Sequence, residues 1–251
     1  MSPTVYLITG ANRGIGLAIA SQLAARPDAV IFAGARDPAS AVELKTLADA
    51  HPGRVHVLQV ISADRANNNA AVEEIRKLAG RLDVIIANAG ISDCFQNALE
   101  VPQAEMTRHF EVNTNGPLVL FQAAYDLLRA SPSPKFVVIS SGSGSIEIGS
   151  QMPVNIYAYG ASKAAVNWVA RKLHRDFTDL VVFPINPGLA DTDMAQSAFV
   201  KDIGMKKIKA AFTLISTDES ARGILVQVDI ATRETHGGQF VDYTGLGKWV
   251  W

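Results

Sequence analysis

One cysteine, Cys94, stands in a chain of 251 residues. A lone thiol excludes an internal disulfide and fits a reducing compartment. No apolar run approaches the roughly 18 residues that a membrane-spanning helix needs. The chain runs early into Val5-Tyr6-Leu7-Ile8, too short for a signal-peptide core and without a charged leader. A cytoplasmic protein with no membrane contact is therefore expected. Charge of one sign is also missing. The 23 Lys and Arg face 24 Asp and Glu, for a net charge of -1. No basic block or stripe exists to bind nucleic acid. Fixed-period repeats, low-complexity tracts and linkers are absent too. Hydrophobic residues make up 48%, an ordinary share for a chain that buries a sizeable core. One domain over residues 1–251 is expected.

What is there is an alternation. Short apolar runs predict strands over Val5–Thr9, Val30–Gly34, Val55–Val60, Val84–Ala87, Phe136–Ser140, Leu180–Pro184 and Gln239–Val241. Helical periods predict helices over Gly14–Ala25, Ala41–Ala50, Arg65–Leu78, about Gln103–Arg129, about Ile156–Phe177 and Glu219–Thr232. Ser40 followed by Glu43 has capping-box spacing and predicts a helix start. Strands apolar on both faces, alternating with helices, imply an α/β fold. The expected form is a doubly wound parallel sheet of Rossmann type, about seven strands, with helices on both faces. Ligands in such sheets bind beyond the carboxyl ends of the strands.

The first strand runs into Thr9-Gly10-Ala11-Asn12-Arg13-Gly14-Ile15-Gly16. Glycines at 10, 14 and 16 permit a tight turn and close approach of the backbone to a pyrophosphate, and the helix that follows offers free amides and a partial positive charge. The spacing is neither Gly-x-Gly-x-x-Gly nor a P-loop. At the end of the second strand stands Arg36, where a carboxylate would favour NAD. Arg36 and Arg13 together suit the 2'-phosphate of NADP, with Asp37 as a competing acid.

Tyr159 and Lys163 lie four apart at the start of a helix and so share one face. An ammonium beside a phenol favours the phenolate and brings a group of pKa about 10 toward use as an acid or base. Tyr157 has Ala161 four residues on and reads as a pocket wall or a packing residue. Ser140 and Ser141 close the fifth strand, where a hydroxyl can donate to a carbonyl oxygen. Asn88-Ala89-Gly90 follows the fourth strand, with small residues that let a cofactor pass. Asn113 sits mid-helix, an unfavourable place for Asn, and a buried polar group there needs partners. Asn115 is its rival. No metal site is assigned.

Taken in order, these residues resemble the short-chain dehydrogenase/reductase family from Thr9 to Gly245. The matching motifs are Thr9-Gly10-x3-Gly14-x-Gly16, Asn88-Ala89-Gly90, Asn113, Ser141, Tyr159-x3-Lys163 and Pro187-Gly188-Leu189-Ala190-Asp191-Thr192. Within the family the chain is most similar to small carbonyl reductases of the norsolorinic acid ketoreductase-like and sporulation C-signal-like subgroup. The stretches Ile139–Ile146, Tyr157–Tyr159 and Gly238–Gly245 carry that similarity.

The resemblance implies NADP(H) as cofactor. Thr192 would hold the nicotinamide carboxamide, Lys163 its ribose, and Asn113 a water that passes protons onward. It also implies a homodimer or homotetramer through the helices around 103–129 and 156–177. Two departures stand out. The segment from Gly142 to Ile156 is long, which makes Ser141 the preferred serine and Ser143 the runner-up. The acid common near the adenine is replaced by Ile61, leaving Ser62 or Gln59 to substitute.

The expected function is NADPH-dependent reduction of a carbonyl, with Tyr159 as general acid. A lid over 195–216, or an ordinary packed helix pair, is expected, with Met194, Phe199, Met205 and Phe212 near it. Together with Phe95, Met152 and Leu189 it suggests an apolar or aromatic substrate. The rival readings are an NADP-dependent alcohol dehydrogenase working oxidatively and a non-catalytic NADP-binding regulatory protein. A nucleotide-sugar epimerase fits the glycine spacing poorly.

Overall fold

A computed structural model describes residues 2–211 and 213–251. Seven strands form one sheet in the order β3-β2-β1-β4-β5-β6-β7, every pair parallel. The strands are β1 (Thr4–Thr9), β2 (Ala29–Ala35), β3 (Val55–Gln59), β4 (Val84–Ala87), β5 (Lys135–Ile139), β6 (Val181–Asn186) and β7 (Val241–Asp242). Direction of winding reverses between β1 and β4, and that reversal opens a crevice at their carboxyl ends. The doubly wound sheet expected from the sequence is the fold.

Helices cover both faces. Successive strand residues point to opposite sides, so Ile8 belongs to one core and Leu7 to the other. On the first face lie α1 (Gly14–Ala24), α2 (Val42–Ala50) and α10 (Thr217–Ile230), whose Ile19, Leu44 and Ile224 are fully buried. On the second lie α3 (Arg65–Ala79), α5 (Gly116–Arg129) and α7 (Tyr157–Asp176), which contribute Ile75, Phe121 and Val166. The remaining helices, α4 (Gln103–Phe110), α6 (Ile146–Gly149), α8 (Asp193–Lys201) and α9 (Ile203–Ala211), frame the carboxyl edge of the sheet.

Three expectations need correction. The Ser40–Glu43 capping box does not form. Pro38 starts a short 3-10 turn through Ser40, the Asp37 carboxylate accepts from the Ala39 amide (3.0 Å), and the Ser40 hydroxyl donates to the Asp37 carbonyl (3.1 Å). Ser40 thus ends one turn instead of capping the next. The same spacing works at Ser216, whose hydroxyl accepts from the Glu219 amide (3.0 Å) and starts α10. Pro184 does not end β6. Ile185 turns its carbonyl toward β5 to accept from Ser140, so the missing N–H of Pro184 faces the other way, where the β7 ladder begins only at Val241.

The third correction concerns the long helix over 103–129. It is three consecutive pieces, α4, a π-turn over Glu111–Asn115 and α5. Pro117 has no N–H to give the Asn113 carbonyl four residues back, so the ladder widens there. The expected lid is α8 and α9, followed by a bridge from Ile215 to Ala190. Phe212 lies outside the described residues.

Candidate active site

The crevice is stitched at its base. Thr9 at the end of β1 accepts through its hydroxyl from the amides of Asn88 and Ala89, both at 3.0 Å. The Asn88 side chain donates back to the carbonyls of Thr9 (2.9 Å) and Gly10 (3.2 Å). Gly10 and Gly14 take φ of 63° and 57°, left-handed values that favour glycine. The loop they shape delivers the amides of α1 to the crevice, with Asn12 and Ile15 partly exposed on it.

Both arginines expected at a 2'-phosphate are exposed, but they differ. Arg36 stands just past β2 and forms no ion pair among the described residues. Arg13 pairs with Asp193 at the start of α8 (3.0 Å), across the mouth of the crevice. Asp37 spends its carboxylate on the Ala39 amide. At the departure near the adenine, Ile61 is held by its backbone. Its amide donates to Asn67 Oδ1 (2.7 Å) and its carbonyl accepts from Asn68 (2.8 Å). Gln59 is engaged at both ends of its amide, by the Arg36 carbonyl and by Asn67. Ser62 is the substitute that stays in play.

The chemistry-bearing side chains meet where β4, β5 and α7 converge. Tyr159 occupies the first turn of α7. Lys163, one turn on, is buried, with Nζ donating to the Ile139 carbonyl at 2.8 Å and standing 5.7 Å from the Tyr159 ring centre. Burial lowers the Lys163 pKa to about 8. Burial also pushes the Tyr159 phenol above its ordinary value, while hydrogen bonding with Ser141 pulls it back. The tyrosine–lysine pair expected from the spacing is present, but here desolvation outweighs the lowering expected from the lysine.

Neighbouring alternatives are separated by geometry. Ser140 is buried and donates to Asn167 Oδ1 (2.5 Å). Ser143 directs its hydroxyl to the Met152 sulfur (3.9 Å). Ser141 Oγ accepts from the Ser143 amide (3.2 Å) and is the serine whose hydrogen bonding lowers the Tyr159 pKa. Asn113 is fully buried and takes both backbone groups of Ile91, accepting its N–H (2.8 Å) and donating to its carbonyl (2.9 Å), with a further bond to Ser162 Oγ (3.0 Å). Asn115 bonds Glu111 on the outer side of the helix. Gly90 lets Asn113 and Lys163 approach one another, because a Cβ there would lie 3.1 Å from Asn113 Oδ1 and 3.5 Å from Lys163 Nζ.

The segment after β6 completes the rim. Gly188 is left-handed (φ 78°), with Pro187 before it bound to Ser220 and Leu189 after it bound to the Ile215 amide. Thr192 caps α8 by accepting from the Ala195 amide (3.2 Å), which leaves its hydroxyl proton to donate. Phe95, Met152, Leu189 and Met194 keep part of their surface open, whereas Phe199 of α8 is buried under Lys209 of α9. Asp93, Glu105 and His109 gather closely enough to hold a metal, but Arg108 bonds both carboxylates and supplies their countercharge. Sequence reasoning missed Asn186, Asp242 and Asp202. Asp202 is buried and binds Asn155 and the Met205 amide, tying α9 to the segment before α7.

Comparison with known proteins agrees with this architecture. The short chain dehydrogenase family matches residues 4–202. A short-chain dehydrogenase of Penicillium aethiopicum, gsfK, is 38% identical over 97% of this chain and 98% of its own. The norsolorinic acid ketoreductase of Aspergillus parasiticus is 33% identical over 99% and 91%. Among solved structures, NADPH-bound carbonyl reductase from chicken fatty liver superposes with a TM-score of 0.87 at 27% identity, covering 99% of this chain and 100% of that one. No helix among the described residues is long and apolar enough to cross a membrane. The chain belongs to the short-chain dehydrogenase/reductase family and is an oxidoreductase.

Proposed function

We propose that the protein is an NADPH-dependent carbonyl reductase acting on an apolar or aromatic ketone or aldehyde. The observation that carries this reading is the convergence of Ser141, Tyr159 and Lys163 at the carboxyl ends of β4 and β5, beside a glycine loop at the switch point. The residues present fit a dinucleotide. The amides of α1 and the left-handed Gly10 and Gly14 suit its pyrophosphate, and Gly90 leaves room beside Lys163. Arg36 suits a 2'-phosphate, and Arg13 would join it by leaving Asp193. Thr192 has a proton to donate to a carboxamide.

NADPH, when bound, supplies the hydride. The chain's own residues do the rest. Ser141 and Tyr159 hydrogen-bond the substrate oxygen, and Tyr159 gives it a proton as negative charge develops. Lys163 holds its ammonium beside the phenol and leads protons toward the Asn113 turn, where Pro117 leaves the Asn113 carbonyl without its usual helical donor. Burial raises the Tyr159 pKa, so the phenol is protonated at neutral pH, the state that carbonyl reduction requires of it. Phe95, Met152, Leu189 and Met194 favour an apolar ring in the pocket.

The same reading assigns the cytosol as location and a homodimer or homotetramer as the assembly. Phe110 of α4 (44% exposed) and Trp168 of α7 (66%) mark the outer helix faces that would be covered. NADPH consumption against aromatic aldehydes, ketones and quinones, with NADH alongside, tests the proposal. Turnover with NADPH and not NADH supports it; tight NADPH binding without turnover on any carbonyl contradicts it.

A further inference from the structure

We propose that the segment Leu246–Trp251 is a strap that positions the Ser141 hydroxyl, with Trp249 and Asp242 as positioning residues. The inference rests on the reading of Ser141 and Tyr159 as the groups that touch the substrate oxygen.

Ser141 stands on a turn between β5 and α6, and side chains from distant parts of the chain hold that turn. Asn167 links Ser140 to the Gly144 carbonyl. The amide of Gly142, next to Ser141, donates to Asn186 Oδ1 at 2.9 Å. Asn186 is oriented in turn by Asp242, donating through Nδ2 to Oδ2 at 2.8 Å. The same Oδ2 accepts from Trp249 Nε1 at 2.6 Å. Three bonds thus connect the indole N–H to the backbone beside the serine.

Asp242 is fully buried, and a buried carboxylate is costly unless its oxygens are satisfied. Its other oxygen accepts from the Thr244 amide and hydroxyl and from Lys248. Burial raises the Asp242 pKa, but the donors Thr244, Asn186 and Trp249 outweigh it and keep the carboxyl below its ordinary value.

Contact adds to the hydrogen bonds. A Cβ on Gly142 would fall 2.2 Å from Trp249 Cη2, so the indole lies directly on the turn. Phe240 sits between Trp249 and Trp251, at 5.9 Å and 5.7 Å between ring centres. Trp251 lies 4.7 Å under the Arg171 guanidinium of α7 and accepts from the Glu147 amide of α6 (3.3 Å). The strap therefore touches the serine turn, α6 and the helix that carries Tyr159.

Two variants test it, Trp249→Phe and Trp249→Leu. The first keeps an aromatic ring over Gly142 and removes the N–H; the second removes both. The expected fall in kcat is about threefold for Phe and about tenfold or more for Leu, since small misplacements near reacting atoms are costly, with the Kd for NADPH unchanged. Ser141 lowers the Tyr159 pKa, so a displaced Ser141 moves the rising limb of alcohol oxidation to higher pH. Hydrogen exchange over 141–149 becomes faster. A pH profile and an exchange pattern identical to wild type, with activity tracking only the folded fraction, overturn the strap. If Trp249→Leu does not fold, Trp249→Phe decides by the same readouts. If the wild-type protein shows no Tyr159-dependent NADPH oxidation, the functional reading fails and exchange at 141–149 alone judges the strap.

Discussion

The side chain of Asn113 holds both backbone groups of Ile91, three residues past Asn88 in the segment that leaves β4. These two hydrogen bonds hold the segment after β4 against the π-turn that precedes Pro117. Replacement by Leu would leave a part-buried N–H and a part-buried carbonyl without these partners, each costing up to about 1–3 kcal/mol. Asn113→Leu is expected to lower the unfolding midpoint and kcat together. Asn115→Ala, on the outer side, is expected to stay within about 0.5 kcal/mol of wild type. Denaturant titration of both variants, with kcat alongside, checks the contrast.

Arg36 is the side chain assigned to the 2'-phosphate. Arg36→Asp replaces a guanidinium with a carboxylate suited to ribose hydroxyls. The Kd for NADPH is expected to rise by about tenfold or more, and the Kd for NADH to fall. Fluorescence titration with each cofactor reads this without turnover. Equal affinities in both proteins would remove Arg36 from the cofactor site.

The two pKa shifts in the site give a signed pH dependence. Tyr159, raised by burial against the pull of Ser141, stays protonated through neutral pH. Lys163, lowered to about 8 by burial, loses its proton first. The reductive kcat is therefore expected to be level below that value and to decline as pH rises through it. Alcohol oxidation, which needs the phenolate, is expected to rise over the alkaline range instead. Rates in both directions from about pH 6 to about pH 11, through the Lys163 value and into the range where a tyrosine begins to ionise, test the sign. A reductive rate that climbs with pH would contradict it.

Asp202, between α8 and α9, bonds Asn155 in the segment before α7 and caps α9 through the Met205 amide. Asp202→Ala is expected to cost about 1–2 kcal/mol as a lost cap. On the proposal that α8 and α9 cover the substrate, it is also expected to raise KM for the carbonyl more than it lowers kcat. Steady-state kinetics separate the two; a change in kcat alone would place the lid elsewhere.

Local chemistry made much of this legible in the sequence. The glycine loop, Asn88-Ala89-Gly90 and Tyr159-x3-Lys163 are short spacings whose geometry is set by one turn or one strand end. The parallel sheet followed from strands apolar on both faces. Long-range pairings were not legible. Arg13 finds Asp193 180 residues away, and Asn186 finds Asp242 56 residues away. Nothing in their immediate neighbours signals either bond. Ser40 failed as a cap because Asp37 and Pro38 captured the turn first, a competition between local motifs that spacing alone does not resolve. The π-turn at Asn113 had a readable cause in Pro117, but proline near a helix start is common enough to pass unnoticed.

The central claim is that Tyr159 gives the proton. Tyr159→Phe keeps the ring and its packing and removes only the hydroxyl. The kcat for carbonyl reduction is expected to fall by about 10²–10⁴, with the Kd for NADPH unchanged. Turnover near the wild-type rate would contradict it.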